Sequence, residues 1–245
     1  MLIKACLNGS RRPGDHPALP VTAAELAADA RRAVTAGAGA VHVHPRGHDG
    51  TETLEPDACD AAGRAIREAC PGVPLGFSTA SWIEADPSRR LELLSTWVER
   101  PDFVSVNFAD PDVTELCDLL HRIGIGIEAG VWTIADAEAL ADSAFARHVV
   151  RVLVEPQDPE PHDAEAAAAV ISAALDRANI EAPRLYHGYG MATWRVIEFG
   201  LDGGWDIRVG LEDTLELPDS TPASGNAELV AAAVGIARKH RRLPA

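Results

Sequence analysis

Short apolar runs and longer amphipathic stretches alternate eight times along this chain, and that alternation leaves few folds open. The runs predict strands at residues 2–7, 40–44, 74–78, 103–107, 125–128, 148–154, 184–187 and 205–209. Between and after them the pattern predicts helices at 22–36, 56–69, 88–98, 113–123, from Thr133 onward, 163–178, 192–199 and 226–241. Thr22 with Glu25 three residues on reads as a capping box, and Thr133 with Asp136 as a second N-cap. Most of the strands are apolar throughout, as expected of parallel strands covered on both faces. Strand followed by helix, repeated, implies right-handed crossovers and a parallel sheet. Eight such units in 245 residues match the roughly 250 residues of a (β/α)8 barrel. The alternative is an open, doubly wound sheet, but no G-x-G-x-x-G follows the first strand. Nothing resembles a linker, so residues 1–245 are expected to form a single-domain α/β TIM barrel.

Barrels of this kind carry their active sites at the C-terminal ends of the strands. Those ends read Asn8, His42 and His44, Ser78 and Thr79, Asn107, Glu128, Glu155, His187, and then Arg208, Glu212 and Asp213. In the second strand Val41 and Val43 alternate with His42 and His44, so the two imidazoles point the same way. Together they make half of a metal site, since catalytic zinc takes three protein ligands and keeps a position open. A pair of unrelated histidines at a strand end gives the same spacing. In the eighth strand, Arg208 is costly inside a barrel unless paired, and Glu212 and Asp213 are at hand. That reads either as a salt bridge closing the barrel or as a metal-ligating Glu212 beside an Arg208–Asp213 pair. Asn8, Thr79 and Glu155 serve equally well as caps for local main chain.

Composition narrows the chemistry. A formal net charge of −15 disfavours nucleic acid and anionic membrane as partners, because both need basic surface. An anionic substrate therefore needs arginines of its own. Of 22 basic residues only Lys4 and Lys239 are lysines, so imine catalysis is not expected and carbonyl chemistry calls for another electrophile. The four cysteines form no C-x-x-C pair, as in a reduced compartment. Met1 leads directly into a strand pattern and no apolar run approaches ~20 residues, so a cytoplasmic location is expected.

The stretch His42-Val43-His44-Pro45-Arg46, the strand ends Gly76-Phe77-Ser78-Thr79 and Ile127-Glu128-Ala129-Gly130, and above all Arg208-Val209-Gly210-Leu211-Glu212-Asp213 resemble the β-keto acid cleavage enzymes. The likeness runs through nearly the whole chain and keeps the order of the motifs. It implies a zinc-dependent (β/α)8 enzyme that condenses a β-keto acid with an acyl-CoA, usually acetyl-CoA, to give acetoacetate and a new acyl-CoA. By the same resemblance His42, His44 and Glu212 would hold zinc. Asp213, positioned by Arg208, would be the base, with Glu128 a further polar group at the site. Ser78, Thr79 and Asn107 would meet the substrate, and the assembly would be a homo-tetramer. Arg46 is a candidate for the substrate carboxylate or CoA phosphates, against a plain loop arginine. The chain is shorter than most members and has Gly47-His48 where many relatives carry an acidic residue. The competing readings are a metal-dependent hydrolase, with His187 as a further ligand, a CoA-independent aldolase or lyase, and a binding protein on the same barrel.

Overall fold

A computed structural model describes residues 1–240 and 242. Its strands are β1 (Ile3–Cys6), β2 (Ala40–Val43), β3 (Leu75–Ser78), β4 (Phe103–Asn107), β5 (Gly126–Val131), β6 (Arg151–Val154), β7 (Arg184–Tyr186) and β8 (Asp206–Val209). Each pairs in parallel with the next, and β8 returns to β1 through Ile3↔Ile207 and Lys4↔Arg208, closing the barrel. The helices are α1 (Ala23–Ala36), α2 (Pro56–Ala69), α3 (Pro87–Ser95), α4 (Val113–Ile123), α5 (Ile134–Asp142), α6 (Pro161–Arg177), α7 (Thr193–Gly203) and α8 (Asn226–Lys239). None is long and apolar enough to cross a membrane.

Local chemistry explains why these segments start where they do. Thr22 and Thr133 both close full capping boxes, with Glu25 and Asp136 reaching back to the cap backbone. Asp86 caps α3 through the Ser88 and Arg89 amides, which starts that helix one residue earlier than expected, and the helix ends at Ser95 with Thr96 as its C-cap. The last expected residue of α8, Arg241, lies outside the described residues.

The strands sort their side chains by parity. Val41 and Val43, Val104 and Val106, and Ile207 and Val209 face outward and join one apolar cluster with the helices. Tyr186 also belongs to it, stacking edge-on with Phe199. The opposite parity gives the barrel lumen its lining, and that lining is unusually polar: Lys4, His42, Ser78, Ser105, Asn107, Glu128, Arg151 and Arg208 all alternate onto it. The closure at β8–β1 is tight. A Cβ on Gly210 would lie 1.9 Å from the Cys6 carbonyl oxygen, so no larger residue fits the turn that leads to Glu212.

Helix α7 runs to Gly203, four residues past its expected end. Among the C-terminal ends of the strands the largest departure from expectation is β5. It continues to Val131, three residues past the expected end at Glu128. Gly130 breaks the apolar run in sequence, yet in the fold it is a paired strand residue opposite Asn107. Its missing side chain leaves space that Glu155 and Asn107 use, since a Cβ there would lie 2.5 Å from Glu155 Oε1 and 3.1 Å from Asn107 Oδ1.

Candidate active site

Strand β2 ends on the two histidines, and the β8–α8 turn brings Glu212 over them. His42 Nε2 lies 3.9 Å from Glu212 Oε2, and His44 Nε2 lies 3.7 Å from Glu212 Oε1. The three ligating atoms fall within 4.8 Å of one another. These gaps are too long for hydrogen bonds, but near the roughly 3.3 Å edge of a tetrahedron with 2.0–2.1 Å metal–ligand bonds. Glu212 Oε2 and His42 Nδ1 are buried without a hydrogen-bond partner. A shared cation would satisfy the carboxylate oxygen, so the donor set suits a divalent metal of the zinc type.

Burial holds His42 well below the usual imidazole range, which keeps it neutral and ready to ligate. For His44, burial works in the same direction but the Glu212 and Glu52 carboxylates outweigh it and raise the group. Burial also pushes Glu212 upward, and the Arg208 guanidinium overcomes that to hold it well below the ordinary carboxylate value.

Beside this cluster Arg208 grips Asp213. Its Nε donates to the two carboxylate oxygens at 3.1 and 3.2 Å, and its Nη2 to Oδ1 at 2.7 Å and to Glu212 Oε1 at 2.5 Å. Burial opposes ionisation of Asp213, but Arg208 and His187 win and lower it. His187, fully buried, lies 3.4 Å from Asp213 Oδ1 and 3.1 Å from Glu155 Oε2. It lies between two carboxylates and outside the His42, His44 and Glu212 group, so it is not the further ligand that the hydrolase reading called for.

Residues 1–245 match the model of the β-keto acid cleavage enzyme family, and the match includes every residue of this cluster. The chain belongs to that family. A relative from Fusobacterium nucleatum subsp. nucleatum, named 3-keto-5-aminohexanoate cleavage enzyme, is 26% identical over 98% of this chain and 92% of its own length. A second, the 3-oxoadipate:acetyl-CoA acetyltransferase of Cupriavidus necator, is 29% identical over 98% of this chain and 89% of its own. Among solved structures the apo form of ObcA superposes with a TM-score of 0.73 at 18% identity, which speaks to fold alone. That match covers 89% of this chain and 61% of the ObcA chain, so this chain spans less than two thirds of that protein.

The family's motif residues divide in the structure. His42, His44, Glu212, Arg208 and Asp213 come together as described. Ser78 and Asn107 line the adjoining strand-end cleft with Ser10, Ser105, Glu155 and Tyr189. Asn107 Nδ2 is buried there without a partner. Thr79 turns away and donates to the Ser105 carbonyl at 2.7 Å. Asn8 is likewise structural, clamping the His44 backbone through its carbonyl and its N–H, both at 2.9 Å.

One sequence expectation needs correction, and Arg46, open between two readings in sequence, can be placed. Glu128 is not at a strand end and does not line the cleft. It sits lower in the lumen, 2.5 Å from both Lys4 Nζ and Arg151 Nη1. Arg46 is half-buried and spends its guanidinium on main-chain carbonyls of Gly9, Arg11 and Gly50. It borders a separate cavity of about 900 Å³ between α1, α2 and the β2–α2 loop, which shares no lining residue with the cleft.

Sequence reasoning missed the aromatic rim of the cleft, Trp82, Trp132 and Tyr189. Each lies past a strand end in a loop, where no periodicity flags it. It also missed Glu52, whose Oε1 lies 2.5 Å from His44 Nδ1.

Proposed function

We propose that this chain is a zinc-dependent enzyme that condenses a β-keto acid with acetyl-CoA, or another acyl-CoA, and cleaves the adduct to acetoacetate and a new acyl-CoA. The observation that carries the reading is the convergence of His42, His44 and Glu212 beside the buried Arg208–Asp213 pair. Family membership and the names of the two relatives support it.

A zinc ion held by the three ligands would supply Lewis acidity to a carbonyl oxygen. The rest falls to side chains. Asp213 takes the proton from the carbon between ketone and carboxylate, acting as general base. Arg208 keeps it ionised and aimed, and its low proton affinity matches a carbon acid that has been strongly acidified. Asn107, with an N–H free, and Ser78 orient the substrate's acid end. The resulting carbanion attacks the thioester carbonyl. That attack breaks the C–S bond and expels CoA as its thiolate. The thiolate then adds to the substrate's original ketone carbon, and the carbon–carbon bond beside it breaks. The acetoacetate enolate so released takes back a proton, and the other acyl piece remains as the new CoA thioester. A homo-tetrameric assembly and a cytoplasmic location belong to the same reading.

The test is to incubate the zinc-loaded protein with acetyl-CoA and a panel of β-keto acids, scoring acetoacetate. Acetoacetate formation only when both substrates are present supports the reading. Turnover without CoA would favour a lyase or hydrolase instead. The protein should carry one zinc per chain, and the double variant His42→Ala, His44→Ala should carry none. Full zinc occupancy in the double variant would remove the metal assignment.

A further inference from the structure

We infer that Glu52 is the residue that orients His44 for the metal and sets how tightly the site holds it; this rests on the metal reading above. The chain after β2 turns back on itself as a short hairpin. Arg46 and Glu52 pair antiparallel. The Gly47 amide donates to the Thr51 carbonyl at 2.9 Å, and the Thr53 amide to the Pro45 carbonyl at 3.1 Å. Asp49 Oδ1 fixes the tip by accepting from Thr51 N at 3.0 Å and Thr51 Oγ1 at 2.7 Å. Arg46 pins the hairpin to the β1–α1 loop through the Gly9 and Arg11 carbonyls.

The hairpin carries Glu52 back to the histidine eight residues before it, its Oε1 2.5 Å from His44 Nδ1. An imidazole that donates Nδ1–H to a carboxylate presents the Nε2 lone pair, and Nε2 is the His44 atom facing Glu212. The two histidines therefore differ. His42 Nδ1 is buried and has no partner, whereas His44 has an acceptor that fixes its ring and raises its basicity as a ligand. Carboxylates in this position are typically worth 10–100-fold in metal affinity. Glu52 is not itself among the residues that line the cleft, and its contact with the cluster is made through His44, so it acts as a positioning residue.

The experiment is competition for zinc with a chromophoric chelator, in wild type, Glu52→Gln and Glu52→Ala. Thermal unfolding of the metal-free proteins runs alongside as a control for the hairpin. Glu52→Ala is expected to lose about 10–100-fold in zinc affinity, with Glu52→Gln in between because its amide oxygen still accepts from Nδ1–H. Unchanged affinity in both variants, while wild type binds one zinc, overturns the inference and leaves the metal reading intact. A wild type that takes up no zinc overturns both. If Glu52→Ala fails to fold, Glu52→Gln decides alone: affinity equal to wild type counts against the role, and a loss supports it.

Discussion

The barrel holds two buried ionic layers, and they are built on different principles. In the lower one Lys4, Glu128, Arg151 and Asp206 alternate in sign, two cations against two carboxylates. Asp206 also takes the Leu2 amide at 2.6 Å. In the upper one a single guanidinium, Arg208, faces Glu212 and Asp213, with Glu155 and Glu52 bound only to imidazoles. Buried charge must be compensated. The lower layer balances two cations against two carboxylates, although Arg151 Nε has no hydrogen-bond partner; the upper one has a surplus of negative charge and a carboxylate oxygen with no partner. Balance marks a structural network, and the deficit of positive charge marks a place for a cation.

The contrast makes separable predictions. The largest effect is expected from the upper layer on turnover. Asp213→Asn keeps the shape but cannot accept a proton, and steady-state kinetics should show kcat down by about 10²–10⁴-fold, with zinc content unchanged. A loss below tenfold would move the base to another group. Glu155, on the cleft, is then the candidate, in place of Glu128.

In the lower layer the same kind of change should affect stability and leave chemistry alone. Glu128→Gln strands Lys4 in the lumen, and removing one partner of a buried pair costs about 3–5 kcal/mol. Chemical denaturation should report that loss while kcat stays within a few-fold of wild type. Joint replacement, Lys4→Met with Glu128→Leu, should recover part of it. A large fall in kcat with stability intact would erase the distinction between the layers.

The smallest effect concerns Arg46, which belongs to neither layer. Arg46→Met should lower unfolding stability by about 1 kcal/mol through its lost main-chain hydrogen bonds. It should leave the preference for a β-keto acid over its methyl ester untouched, as read from relative kcat/KM. If that preference vanished, the guanidinium would have to reach the cleft after all.

The sequence conveyed these elements unequally, for physical reasons. The barrel was legible because eight apolar runs, a capping box at Thr22 and an N-cap at Thr133 are local signals. His42, His44 and the Arg208–Asp213 stretch were legible because period-two geometry and the cost of a buried arginine are local too. Glu128 was misread because Gly130 looks like a strand terminus in sequence, and only the approach of Glu155 and Asn107 explains a glycine inside β5. Glu52 was out of reach because its contact depends on a hairpin folding back over eight residues. Arg46 was open between two readings, and what decides where its guanidinium goes is the path of the β1–α1 loop, which no spacing rule gives.

The lower ionic layer also turns the barrel into a blind tube. Phe103, Lys4 and Glu128 fill the lumen beneath His42, His44 and Glu212 and are shut off from solvent. Molecules that enter the lumen through the aromatic rim therefore leave by the same route. Under the proposed reaction, two substrates would enter and two products leave through one mouth, and the order of arrival and departure would become part of the kinetics.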